Sequence, residues 1–146
     1  MNRILVLIIL VVTLGCTTFP ESFDPAHAGD TLDEAAVNCL DWVWYRKSYV
    51  SEVAGGVRKT RDGYACGKVT VGTPLGVLSY VPRSWAARFH THSLPDTQVS
   101  KQDMHNVRED PRHQPSYIRL RTGTVIAYEC RDTKKGKVKC AGRRVR

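Results

Sequence analysis

A chain of 146 residues has room for one small domain, whose core gains from cross-links or a metal because so little surface is lost on folding. Its formal charge of +8 concentrates at the end, where Arg131, Lys134, Lys135, Lys137, Lys139, Arg143, Arg144 and Arg146 face Asp132 alone. Such a run can attract an anionic polymer or simply be a solvated hairpin and tail, but no aromatic residue interleaves it, which argues against specific nucleic-acid binding by base stacking.

The amino end has the layout of an export signal. Arg3 precedes an apolar run from Ile4 to Val12 that is too short to cross a hydrocarbon core of roughly 30 Å as a helix. Gly15 directly before Cys16 has the form of a bacterial lipobox, so Cys16 is expected to carry lipid and to begin the mature chain. The alternative is an ordinary signal cleaved after Gly15 or near Ala28. The expected division is a lipoprotein signal peptide over 1–16, a flexible tether over 17–30 and a folded domain over 31–146. This places the domain in the bacterial envelope, lipid-anchored at the outer membrane and facing the periplasm.

Four cysteines then remain: Cys39, Cys66, Cys130 and Cys140. An even count in an exported domain points to two disulfides, with three possible connectivities. Cys130 and Cys140 flank the polar turn at 132–136, which favours a bridge across a terminal hairpin and leaves Cys39 with Cys66. A free buried thiol would also suit Cys39, on an apolar helix face. The absence of a C-x-x-C pair argues against a cysteine zinc finger.

Along the domain, Thr31-Leu-Asp-Glu34 is a capping box, and Leu32, Ala35, Ala36, Cys39, Leu40 and Val43 recur at helical spacing. A helix is predicted over 32–45. A strand follows at 49–59, where the pair Gly55-Gly56 marks a bulge or a close backbone approach. The turn at 61–63 leads to a second strand over 64–71, and 72–82 is a loop. Residues 85–92 alternate as a strand, with Ala87, Phe89 and Thr91 on one side and Arg88, His90 and His92 on the other. A short helix is predicted over 100–108, a polar, Pro-bounded loop over 109–115, strands over 117–120 and 124–130, and a final hairpin strand over 137–140. Trp42, Trp44 and Trp85 read as core or interface residues. The fold class is α+β, a mostly antiparallel sheet with one N-terminal helix and a short metal-site helix.

The chemistry concentrates in His90-Thr-His92, seven residues, then Ser100-x-x-Asp103. Residues two apart on a strand share a face, so both imidazoles can aim at one ion. Asp103 would supply a third ligand from the first turn of the next helix, leaving a fourth position of a Zn²⁺ ion to water, the layout of a catalytic site. Glu52, on a neighbouring strand, would act as the general base, and Ser100 would hydrogen-bond the water or the oxyanion. Each piece alone has a plain reading: surface histidines, a helix cap, one more surface acid. The conjunction points to amide hydrolysis. His27, His105 and His113 fall outside the pattern and read as surface residues. The loop at 109–115 lies where a substrate could be gripped.

The pattern Glu52…His90-x-His92-x7-Ser100-x2-Asp103 resembles the JAMM (MPN-type) zinc metalloproteases, with Glu52-Val-Ala-Gly-Gly-Val57 similar to their early E-x-x-G strand. Leu32-Asp-Glu-Ala-Ala36 ahead of a Gly-Gly strand further resembles a bacterial branch of small JAMM-like domains. Ser93 stands where many members have Pro. The resemblance implies a cytidine-deaminase-like fold and a zinc hydrolase of peptide or isopeptide bonds. His90, His92 and Asp103 would be its ligands, Glu52 its base and Ser100 an assisting group. In the envelope the implied substrate is a peptide or a peptidoglycan-type stem peptide, with the membrane contacted through the lipid anchor. The rival readings are a non-catalytic binding or scaffold lipoprotein on the same fold and a secretion-associated antibacterial effector.

Overall fold

The computed structural model describes residues 24–48, 50–78, 80–95 and 99–146; the expected signal peptide, Cys16 and the first part of the tether lie outside them. The first helix, α1 (Leu32–Val43), begins where its cap places it, with Thr31 Oγ1 accepting the Glu34 N–H at 3.2 Å. Glu34 Oε2 reaches back to the Asp30 N–H at 3.1 Å, one residue beyond the reciprocal partner of a capping box. Ala35, Ala36, Cys39, Leu40 and Val43 form its buried stripe. The helix does not continue regularly to 45 but widens into a π-helical turn over Trp44–Ser48.

The strands are β1 (Val53–Thr60), β2 (Gly63–Cys66), β3 (Thr70–Val71), β4 (Ala87–Thr91), β5 (Ser116–Arg119), β6 (Val125–Asp132) and β7 (Val138–Arg144), with α2 (Lys101–Arg108) between β4 and β5. They form one sheet in the order β2-β1-β4-β5-β6-β7, with β3 also paired to β1. Every pairing is antiparallel except β4 with β5, which runs parallel and is joined by the crossover through α2.

The strand expected over 64–71 is two strands, and the break has a steric cause. The Gly67 N–H bonds Gly56 O at 2.7 Å, and the Trp85 ring occupies the space beside both glycines. A Cβ on Gly56 would stand 2.2 Å from that ring and one on Gly67 2.1 Å, so neither position admits a side chain. Gly55 meets the Phe89 ring on the other face in the same way, at 2.7 Å. The glycine pair is therefore a close approach. Trp85 lies just before β4, acting as a wedge and not as the strand's first residue.

Alternation divides the sheet. Val53, Val57, Phe89, Tyr117, Val125 and Ala127 turn to α1 and make the core with its buried stripe. Thr91, fully buried on this side, accepts the Val53 N–H at 3.0 Å. Tyr128 and Cys140 turn the other way, where α2 lies against β6 and β7. Two disulfides close the structure, Cys39–Cys66 joining α1 to β2 and Cys130–Cys140 bridging directly opposite residues of β6 and β7. This is the pairing the sequence favoured.

Two segments are more ordered than expected. Within the stretch read as a tether, Ala28 donates to Tyr64 O at 2.7 Å, and Gly29 O and Pro25 O accept from Tyr64 and Cys66 at 2.9 and 2.8 Å. Unpaired backbone groups on the β2 edge thereby recruit residues 25–29. The basic end is likewise a full strand. Arg143 forks Asp33 through two bonds of 2.7 Å, and Arg146 pairs with Asp41, so its charges in part clamp the edge of the sheet to α1. Arg119, 6% exposed, joins the same layer, with Nε 3.1 Å from Asp41 Oδ1 and its guanidinium 4.1 Å over the Trp44 ring. Among the described residues no helix is long and apolar enough to cross a membrane.

The bonds at Asp33 carry a pH dependence. Hydrogen bonds from Arg143, opposed by partial burial and joined by a 2.5 Å bond from the Tyr117 hydroxyl, hold the Asp33 carboxyl below its ordinary range. A depressed native value stabilises the fold above the unfolded value of about 3.9 and stops doing so as the pH falls through the native one. Asp33→Asn should unfold at a lower urea concentration than wild type at pH 7 and pH 5, and the gap should close on acidification. A gap that stays constant to pH 2 would contradict this role.

Candidate metal centre

β4 and the start of α2 build the site. His90 is on β4, paired with Ala54 of β1 and Ile118 of β5; His92 lies one residue past the strand, its N–H still bonded to Arg119 O at 2.8 Å. With Thr91 buried toward α1, the two histidines emerge on the opposite face, as the alternation predicts. Asp103 is the third residue of α2, and Ser100 is the cap. Ser100 Oγ accepts the Asp103 N–H at 3.1 Å, while the Ser100 N–H and hydroxyl both donate to Asp103 Oδ2, at 3.2 and 2.5 Å. The capping box thus starts the helix and aims the carboxylate at once.

The three side chains converge. His90 Nε2 lies 3.2 Å from His92 Nε2 and 3.1 Å from Asp103 Oδ1, and His92 Nε2 lies 3.0 Å from Asp103 Oδ2. Together they form a group that could hold a metal ion. Bonds of about 2.0–2.1 Å at a tetrahedral ion put ligand atoms about 3.3 Å apart, and an octahedral ion puts them about 3.0 Å apart. The observed separations fall between these two. A purely hydrogen-bonded cluster would direct N–H groups of both rings at Asp103 and leave two donors 3.2 Å from each other. A cation at the centre accepts both imidazole lone pairs and a carboxylate oxygen together. The donor set therefore fits a metal.

Electrostatics agree. Burial alone would raise the Asp103 pKa, but hydrogen bonds from His90, His92 and Ser100 outweigh it and hold this carboxyl far below its ordinary range. Asp103 is an anion at neutral pH.

Glu52 directly precedes β1. Antiparallel pairing of Ala54 with His90, carried two residues back, brings Glu52 opposite His92 and onto the face that Ala54 shares with the histidines. Its backbone is fixed by the Glu52 N–H to Thr73 O at 3.0 Å and the Gly72 N–H to Glu52 O at 2.8 Å. The group that could hold an ion is His90, His92 and Asp103, without Glu52. Ser100, expected on a water or an oxyanion, gives its hydroxyl proton to Asp103 instead, so the role visible in its geometry is to orient a ligand.

A cleft of about 480 Å³ opens beside His90 and Asp103, with Val77, Leu78 and Val81 on its apolar side. Its charged wall was not singled out in the sequence. Asp110, with a side chain only 4% exposed, accepts from Arg112 Nε at 2.8 Å and Nη2 at 3.0 Å and also contacts Arg88 Nη2. Arg88 was legible as a same-face neighbour of His90. Asp110 and Arg112 fall in the loop at 109–115, where no periodicity tells a buried ion pair from a solvated one. His105 is exposed at the cleft, His27 is exposed near Asp30, and His113 pairs with Asp132 at 3.1 Å. No family model, curated protein or solved structure matches the chain.

Purified without chelator, the protein should carry about one transition-metal ion per chain by elemental analysis. His90→Ala/His92→Ala should remove it and Asp103→Asn should lose most of it. Stoichiometric metal in the double variant would refute the site. Ser100→Ala should cost about 1 kcal/mol of stability through the lost cap and weaken metal retention by freeing Asp103.

Proposed function

We propose that this chain is a zinc-dependent hydrolase of peptide or isopeptide bonds. The observation that carries the reading is the convergence of His90, His92 and Asp103 within 3.0–3.2 Å; the β1–β4 register, continued past Ala54, supports Glu52 as their neighbour on the same face. Two imidazoles and one carboxylate are the donor set that suits zinc while leaving a coordination position open. Similarity of the Glu52…His90-x-His92…Ser100-x-x-Asp103 pattern to the JAMM metalloproteases supports it. So does the placement of that pattern on the end of β4 and the first turn of the crossover helix.

When bound, zinc would acidify a water molecule and polarise the substrate carbonyl. The residues of the chain do the rest. Glu52 takes a proton from the attacking water and passes it to the leaving nitrogen as the C–N bond breaks. In this scheme the three ligands are His90, His92 and Asp103, so the Glu52 carboxylate serves as the proton carrier and not as a fourth ligand. Ser100 keeps Asp103 oriented, and the buried side of the site around His92, 3% exposed, limits stray solvent. Export, a lipid anchor at Cys16 and a peptidoglycan-type substrate complete the proposal, supported by the signal-like amino end and by disulfides compatible with an oxidising compartment.

Separating base from ligand tests the mechanism. Glu52→Gln should keep wild-type zinc content and fold yet lose roughly 10² to 10⁴ in turnover on a panel of peptides, isopeptides and cell-wall stem peptides. Asp103→Asn should lose metal and turnover together. Wild-type turnover in Glu52→Gln, or no turnover by the zinc-loaded wild type on any member of the panel, would sink the reading.

A further inference from the structure

Building on the hydrolase reading, we propose that Arg88 binds a free carboxylate of the substrate in the cleft, so that the scissile bond lies within two residues of that group. Arg88 and His90 are two apart on one face of β4, their Cα atoms about 6.5–7 Å from each other. An extended peptide advances at most about 3.3–3.6 Å per residue. A carboxylate at Arg88 therefore brings a peptide bond one or two residues away to the ligand end of the cleft.

The crowding of cations on Asp110 is what asks for an anion, at the end of a cleft that also carries Glu109 and Asp103. Asp110 is already forked by Arg112, which donates to both of its oxygens, and Arg112 spends another donor on Val81 O at 3.2 Å. Arg88 Nη2 contacts Asp110 Oδ2, the oxygen that Arg112 Nη2 already holds, and Arg88 Nε is buried without a hydrogen-bond partner. Two guanidinium groups thus lean on one buried carboxylate. Arg83 adds a third cation to a cavity of about 320 Å³ that Arg88, Asp110 and Arg112 also line. A planar carboxylate matches the guanidinium fork, which a neutral amide does not. Val77, Leu78 and Val81 on the same cleft offer a surface for an apolar side chain next to that carboxylate. The hydrolysis itself balances with water alone. Its oxygen joins the carbonyl carbon, the C–N bond breaks, and the leaving nitrogen gains a proton.

The test is calorimetric binding to the zinc-loaded protein. The probes are acetyl-Ala-Ala in its L,L and D,D forms, the corresponding C-terminal amides, and acetyl-Ala-Glu-amide, whose only carboxylate is on the side chain. At least one acid should bind about tenfold or more tighter than its uncharged counterpart, acetyl-Ala-Ala-amide, the scale of one charge-assisted hydrogen bond. Preference for acetyl-Ala-Ala identifies a chain terminus, and preference for acetyl-Ala-Glu-amide identifies an acidic side chain. Arg88→Gln should bring the ratio to about one with metal content unchanged, while Arg88→Lys should keep part of it. Equal affinity of acids and amides for the wild type, no binding of any acid, or a preference that survives in Arg88→Gln overturns the proposal. If Arg88→Gln does not fold, as circular dichroism would show, the wild-type ratio and Arg88→Lys decide. Preferential binding without cleavage fails the hydrolase reading alone, whereas cleavage with equal affinities fails the carboxylate site alone.

Discussion

The register between β1 and β4 is the constraint on which the rest depends. Sliding β4 by one residue would send His90 and His92 into the α1 layer and turn Phe89 and Thr91 out to solvent. The register is secured from both faces. Phe89 presses on Gly55, Trp85 presses on Gly56, and the Thr91 hydroxyl takes the Val53 N–H. Glu52 inherits its place from the same register, because it is the continuation of β1 opposite the end of β4.

The second device is economical. One serine terminates the loop after β4, opens α2 and hydrogen-bonds the carboxylate that faces the histidines. Helix initiation and ligand geometry are therefore coupled, and neither can change without the other. The parallel pairing of β4 with β5 requires a crossover. That crossover carries Asp103 from the end of β4 back over the histidine face. The same connection delivers Asp110 and Arg112 to Arg88.

Much of this was legible in the sequence where periodicity or spacing carries it. The apolar stripe of α1, the alternation around His90 and the Ser100-x-x-Asp103 cap each rest on local geometry that the structure repeats. Cys130 and Cys140 were legible because a polar turn separates them. What was not legible depends on long-range packing. The Trp85 wedge that splits 64–71 into β2 and β3 acts across nearly twenty residues, and nothing local to Gly67 announces it. The docking of residues 25–29 answers a need of the β2 edge, not a hydrophobic pattern of their own. Arg143 and Arg146 looked like tail charges because their partners, Asp33 and Asp41, lie over a hundred residues away.

Neither disulfide shares a residue with the histidine cluster; one ties α1 to β2 and the other ties β6 to β7. A structural zinc site is itself the cross-link that lets a small domain fold. Here covalent bridges already serve that purpose. A cation at His90, His92 and Asp103 is thereby relieved of the task of holding the chain together. Its affinity can be set by chemistry and supply alone. The described residues stay cross-linked whether or not an ion sits there.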